Sequence, residues 1–517
     1  MRTSGAILLA FVAIICLSFT GDKSEKVDLH MINRIKNEAF NNSKVMETMF
    51  QMTDVNGPRL TGSTGMKSAE KWAQKRLQDW GLENVNIEPW GGFGKGWETH
   101  KCYVAMTLPY YQQLIAVPKA WTPGTEGQIE GEAILVYMNK AEDMAKYAGK
   151  LKGKIVVVQN AVTDNKFNFA PDCRRLTDSE LYKLTFDTHT EEGVTSTNVK
   201  AATEAPKPNI ALMRDSFLLA EGAVAVISRG MGTMGTLFTS NGASRAWNAK
   251  PVLPELEMGA EHLNRLERLL DAGQNVRLEM DIKNTFLMED SVENNVVAEI
   301  PGTDPRLKSE LVMLGAHLDS WHAATGATDN GCGSGVMMEV MRILKTLEIK
   351  PRRTIRLVLW SGEEQGLLGS RGYVKNHFAD RTTMTLKPDH EKVSVYFNLD
   401  NGGGKIRGIH LQSNDEVKPI FEAWFEPFHD LGAGTLTYRN TGATDHISFD
   451  EVGIPGFQFI QDPLDYGTRT HHTNMDTYER LSQNDLMQAS AIIASFVYHA
   501  AMRDEKLPRK PLPVVKK

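Results

Sequence analysis

His317, Asp319, Asp329, Glu363, Glu364, Asp400, His471 and His472 are the residues of this 517-residue chain whose types and placement could do chemistry together. Imidazole and carboxylate with no cysteine cluster form a ligand set for zinc or a related divalent ion. One catalytic zinc takes roughly three protein ligands, and this set is larger. It suits two ions about 3.5–4 Å apart that share a carboxylate, polarise a substrate carbonyl and bring bound water to a pKa of roughly 7. A further carboxylate must then accept the proton. Neighbouring side chains at a strand end diverge in direction. Of Glu363-Glu364, one acid can therefore bind metal while the other faces the water.

Alone, each residue has an ordinary use. His-Leu-Asp at 317–319 reads as a surface pair. Asp329 in a glycine-rich bend, or Asp400-Asn401-Gly402, reads as turn chemistry, and two glutamates before a helix favour its N-terminus. The conjunction carries the functional interpretation. Aliphatic runs predict strands over Val296–Ile300, Leu311–Ala316, Thr354–Trp360, Val393–Leu399 and Phe457–Ile460. Helices are expected at Gly335–Leu347, Gln365–Phe378, Val417–Phe428 and Asn484–Met502, between or after these strands. Strand–helix alternation means an α/β domain with a largely parallel sheet, whose functional residues gather beyond the carboxyl ends of the strands. Every candidate above follows such an end.

The N-terminal segment is expected to form helices over 26–50 and 66–80. Residues 121–290 change character. Short strands are expected at Glu132–Tyr137, Lys154–Gln159, Ala223–Ser228 and Val276–Ile282, with helices at Arg214–Glu221 and Glu261–Ala272, so a separate β-rich module interrupts the chain. "WGGFGKGW" before it reads as a loop. The expected division is signal peptide 1–21, first part of the α/β domain 22–120, insert 121–290, main part 291–505, and a solvated basic tail 506–517.

A formal net charge of -6 argues against a nucleic-acid-binding surface. Arg2, the apolar run Ala6–Phe19 and the charged stretch after it have signal-peptide architecture, which predicts a secreted or periplasmic protein with no integral membrane segment after cleavage. Cys16 raises lipid anchoring, but bulky Ile15 before it argues against that. The remaining Cys102, Cys173 and Cys332 are no disulfide scaffold. A Cys102–Cys173 bridge is left open, and Cys332 reads as a small buried residue.

The ordered motifs "GAHLDSW", "ATDNGCGSG", "RLVLWSGEEQGLLGS", "NLDNGG", "TDHISFDEVGIPGF" and "HHTNMDT" resemble those of the exported zinc exopeptidases, the co-catalytic aminopeptidases and carboxypeptidase Q. "GPRLTGS" extends the likeness to the N-terminal part. The resemblance implies the zinc exopeptidase fold, a mixed, largely parallel central sheet flanked by helices, with an inserted β-rich protease-associated domain. It also implies two Zn2+ per chain. His317 and Asp400 would hold one ion, Glu364 and His472 the other, and Asp329 would bridge them. Glu363 would be the general base, and Asp319 would accept a hydrogen bond from the ring of His317. His472 is preferred to His471 because the family's ligand directly precedes Thr. The Asp329-Asn330 bond is expected to be cis. Tyr438 and Tyr466 are candidates for stabilising the oxyanion, and Asp445-His446 for lining the pocket. The implied activity is hydrolysis of short peptides, first as an aminopeptidase and alternatively as a carboxypeptidase Q-like dipeptidase. A glutaminyl cyclase or a non-catalytic binding protein is disfavoured by the intact residue set.

Overall fold

A computed structural model describes residues 25–159, 169–187, 209–229, 232–289 and 292–513. The expected signal peptide lies outside them. Among the described residues no helix is long and apolar enough to cross a membrane.

Two eight-stranded sheets organise the chain. The first contains, in spatial order, Glu83–Gly92, Val292–Ile300, Thr354–Trp360, Leu311–His317, Val393–Asn398, Gly456–Gln461, Ile406–His410 and Thr435–Thr437. Its four central strands, from Thr354–Trp360 to Gly456–Gln461, run parallel. They are almost wholly buried, as strands covered on both faces must be. Helices Leu29–Asn41, Cys332–Thr346 and Gln483–Met502 pack on one face, where Ile32, Ile35, Met337, Val340, Ile492 and Phe496 share one core. Trp360, Tyr373, Tyr396 and Phe449 fill the other. The chain passes from Leu311–His317 to a strand on one side and then back to Val393–Asn398 on the other. The order therefore reverses at Leu311–His317, the kind of switch point that leaves a crevice at the carboxyl ends.

The second sheet runs Gln112–Gln113, Gly96–Leu108, Arg277–Leu287, Ile129–Val136, Ile155–Val158, Ala225–Arg229, Glu255–Met258 and Ala116–Pro118. It has cores of its own. It begins at Gly96, inside the 22–120 segment that the sequence assigns to the first unit. "WGGFGKGW" is correspondingly two strand ends, with only Phe93–Lys95 between them. Half-exposed antiparallel strands with a bulge at Pro89/Gly91 lack the dense apolar run that reveals a central strand. Gly96–Leu108 pairs with Arg277–Leu287 along most of its length, so the chain enters and leaves this unit through one two-stranded stalk.

The basic tail is also not simply solvated. Leu507 is 2% exposed, Arg509 donates to the carbonyls of His390 and Val393, and Lys510 pairs with Asp450 at 2.7 Å. Its cations answer an acid and free carbonyls at the base of the sheet, a pairing invisible in a local charge count. Cys102, Cys173 and Cys332 are all free, and Cys332 is buried.

Candidate metal centre

Beyond the carboxyl edge of the parallel strands, the predicted residues converge. His317 is the last residue of Leu311–His317, and Asp400 lies just past Val393–Asn398. Asp329 sits in the tight turn Ala327–Gly331 that opens the helix Cys332–Thr346, and the Asp329-Asn330 bond is cis. Gly333 lets this turn close on its neighbours, since a Cβ there would lie 2.3 Å from both Asn330 Oδ1 and the Leu399 carbonyl. Glu363 and Glu364 follow Thr354–Trp360, where Gly362 turns the chain at φ +69°.

Two groups share one carboxylate. His317 Nε2 lies 3.3 Å from Asp400 Oδ1 and 3.4 Å from Asp329 Oδ1. His472 Nε2 lies 2.9 Å from Glu364 Oε2 and 3.2 Å from Asp329 Oδ2. Asp329 thus gives one oxygen to each group. His471 Nε2 is farther from Asp329, at 3.9 Å. Glu363 Oε2 stands 3.9 Å from His317 Nε2, beside the first group while its neighbour Glu364 serves the second.

These donors fit divalent cations. Neither oxygen of Glu364 makes a hydrogen bond of good geometry, nor does Asp329 Oδ2, although all are buried. Buried anionic oxygens left without donors are costly, and a cation removes that cost. Burial, with Asp329 beside it, pushes Glu364 well above the usual carboxylate range. Burial does the same to Glu363, with Asp400 and Asp445 adding to the shift and His317 opposing it. Burial would also raise Asp329, but the His317 hydrogen bond and the charges of His472 and His317 hold it low. Burial pulls His317 down, yet Asp400 and Glu363 outweigh it and carry its pKa well above the ordinary value. Burial lowers His472.

Asp319 lies beside the His317 ring, where its carboxylate helps to raise the imidazole's pKa. The nearer partner of His317 Nδ1 is the Asp319 backbone carbonyl at 3.0 Å, with the carboxylate at 3.6 Å. The carboxylate also accepts from the Thr61 hydroxyl at 2.8 Å and from the amides of Glu363 and Glu364 at 3.3 Å. Thr61 in turn accepts from the Gly362 amide at 2.9 Å. Asp319 thus holds the glutamate turn, while its carbonyl and carboxylate both face the His317 imidazole.

Of the tyrosines, Tyr466 sits beside the acids, its pKa driven far up by burial and by Asp329, Asp400 and Glu364. Tyr438 lies away from them, under Lys418 on the helical face. The Asp445-His446 pair divides. Asp445 faces His317 and Asp400, and burial pushes it up to about 7. Its oxygens make no well-formed hydrogen bond, although the Ser370 hydroxyl, itself 2.7 Å from that of Ser448, lies close enough to lower its pKa. His446 turns to the Thr441 carbonyl instead.

Two participants have no role predicted from sequence. Asp476 accepts from the Thr328 amide and hydroxyl and from the Asp329 amide, at 2.7–3.0 Å. Burial and Asp329 push it up to about 7. Arg59, fully buried, donates to the carbonyls of Leu318, Thr325 and Gly326 and so ties the N-terminal segment to the loop bearing Asp329. Their only local signals are the "D" of "HHTNMDT" and the "R" of "GPRLTGS".

Residues 295–497 match peptidase family M28. Carboxypeptidase Q of Mus musculus is 27% identical over 470 residues, which span 90% of this chain and 87% of that protein. Aminopeptidase YwaD of Bacillus subtilis is 31% identical over 203 residues, 38% of this chain and 42% of that protein. Among solved structures, a peptidase M28 precursor from Shewanella amazonensis covers 94% of this chain and 98% of its own, at TM-score 0.67 and 24% identity. A zinc aminopeptidase from Bacillus subtilis covers 89% and 96%, at TM-score 0.56 and 20% identity.

Proposed function

We propose, on the match of residues 295–497 to peptidase family M28, that this chain is a zinc-dependent exopeptidase of short peptides. The observation that carries the proposal is the pair of ligand groups joined through the two oxygens of Asp329. His317 and Asp400 would hold one zinc ion, Glu364 and His472 the other, with Asp329 between them. Zinc, when bound, polarises a carbonyl and acidifies water. Glu363 accepts a proton from the attacking water and returns it to the leaving amine. Asp319 and Thr61 keep its turn in place. Tyr466, beside the acids, is the residue placed to donate to a developing oxyanion. The second sheet corresponds to a protease-associated domain, and the N-terminal sequence directs export.

The centre is rich in carboxylates, and Asp445 has both oxygens free of well-formed hydrogen bonds. That favours a substrate with a free α-ammonium, hence cleavage from the amino end. The full-length similarity to carboxypeptidase Q supports the alternative, a dipeptidase or carboxypeptidase. Assays on a free dipeptide, its N-acetylated form and its C-amidated form separate them. An aminopeptidase tolerates the amide and rejects the acetyl group, a carboxypeptidase does the reverse, and a dipeptidase accepts only the free dipeptide. Zinc-loaded protein that cleaves none of the three would refute both.

A further inference from the structure

We propose that Phe238, carried by the second sheet unit, is a specificity-determining residue of the metal centre, selecting short peptides with an apolar side chain beside the scissile bond. This rests on the exopeptidase function proposed above.

The second unit does not merely lie near the centre; its segment 233–240 is stitched to the loop that bears His472. The Thr239 amide donates to the His472 carbonyl at 2.7 Å, and Phe238 and Thr473 form an antiparallel bridge. The Leu237 amide donates to Asn474 Oδ1 at 2.9 Å, and Asn474 Nδ2 donates back to the Gly235 carbonyl at 3.1 Å. Arg469 donates to the Thr233 carbonyl at 2.6 Å and to Thr236 Oγ1 at 2.9 Å. Leu237 and Thr239 are fully buried, while Phe238 between them is only half-buried. Local extended geometry sends alternate side chains to opposite sides. Here that alternation turns Phe238 toward the centre, with its ring 5.2 Å from that of His472 and 6.3 Å from that of His471.

A second aromatic stands at the same imidazole. The Trp321 ring is 6.0 Å from His472, and Trp321 lines the small cavity that Asp329, Glu364 and His472 also line. The ligand groups already account for the acids and histidines. Two half-buried aromatic rings at the lip of a charged centre supply what ligands cannot, an apolar surface that excludes water and holds a side chain. Phe238 is fixed by its main chain and partly exposed, the arrangement expected of a wall rather than a core residue.

The competing role is that Phe238 only buttresses the His472 imidazole. Full-length zinc-loaded protein and its F238A and F238L variants, assayed on Gly-Gly, Leu-Gly, Gly-Leu and Leu-Leu, separate the two. A wall predicts that F238A loses roughly tenfold in the kcat/KM preference for leucine over glycine at one of the two positions. The loss should lie mainly in KM, zinc per chain should be unchanged, and F238L should recover most of the preference. A uniform fall in kcat across all four peptides, with zinc lost, would make Phe238 a buttress and overturn the proposal. So would an unchanged leucine-to-glycine ratio. Wild-type protein inactive on every peptide would overturn the exopeptidase function itself, a different failure.

Discussion

At the scale of single residues, Glu363 and Glu364 are adjacent, equally acidic and assigned different work. The geometry divides them, with Glu364 2.9 Å from His472 and Glu363 beside His317. Replacing each by glutamine keeps size and polarity but removes the charge. Glu363→Gln cannot take the proton, and loss of a general base typically costs about 10²–10⁴ in rate, or roughly 3–5.5 kcal/mol of barrier. Zinc content should stay as in the wild type, and KM should move little. Glu364→Gln should instead weaken the hold on one ion, with activity partly restored by added zinc. Elemental analysis and kcat, each with and without excess zinc, check both outcomes. If Glu363→Gln loses zinc while Glu364→Gln loses only turnover, the two roles are reversed.

At the scale of elements, what was legible depended on whether the information was local. The central strands announce themselves by continuous aliphatic runs such as Ile355–Trp360, and their carboxyl ends pick out His317, Glu363-Glu364 and Asp400 without any tertiary knowledge. Strand Ile406–His410 carries no such signal, because it is short and contains an arginine. Strand Glu83–Gly92 was hidden by its glycines and half-exposed face. Thr61, Arg59 and Asp476 escaped for another reason. Their partners lie far away along the chain, 258 residues for Thr61 and Asp319 and 148 for Asp476 and Thr328, and no local pattern encodes such pairs. Thr61 offers the cleanest check that these distant contacts matter. Thr61→Val leaves the Gly362 amide unpaired and takes a donor from Asp319. That should cost about 1–3 kcal/mol in a buried network and lower kcat several-fold as the glutamate turn loosens. Thr61→Ser keeps the hydroxyl and should restore both. Thermal unfolding and kcat for the two variants provide the measurement, and equal behaviour of valine and serine would remove the hydroxyl from the account.

At the scale of the whole molecule, two units with separate cores enclose a cluster of acids at their junction. Each unit contributes ties across it. Arg175 of the second bonds Asp462 and Asp485 of the first at 2.8 Å, and Asp172 pairs with Arg469 at 2.7 Å. Closing the molecule around this centre buries carboxyls that the unfolded chain leaves in water, so folding is linked to protons and to metal. Asp445 and Asp476 rise to about 7 in the chain alone, and Glu363 and Glu364 rise as well. A group whose folded pKa exceeds its unfolded value contributes stability below the unfolded pKa, and this is lost as pH climbs through the folded one. For these aspartates the window runs from about pH 4 to above 7, and a shift of this size corresponds to at most about 4 kcal/mol for each. His317, also raised, adds in the same direction; Asp329, held low, titrates below this window, whereas His446, His471 and His472, whose pKa values burial lowers, oppose the trend up to about pH 6.5. Above about pH 6.5, where those histidines no longer oppose it, zinc-stripped protein should therefore lose thermal stability as pH rises to about 8. Zinc would favour the ionised acids and neutral imidazoles, so the Tm gained on adding it should widen over the same range. Calorimetry of stripped and loaded protein across that window tests the linkage. A stripped form whose Tm climbs with pH, or a zinc increment that shrinks, would mean that the acids at the junction are ionised before any metal arrives.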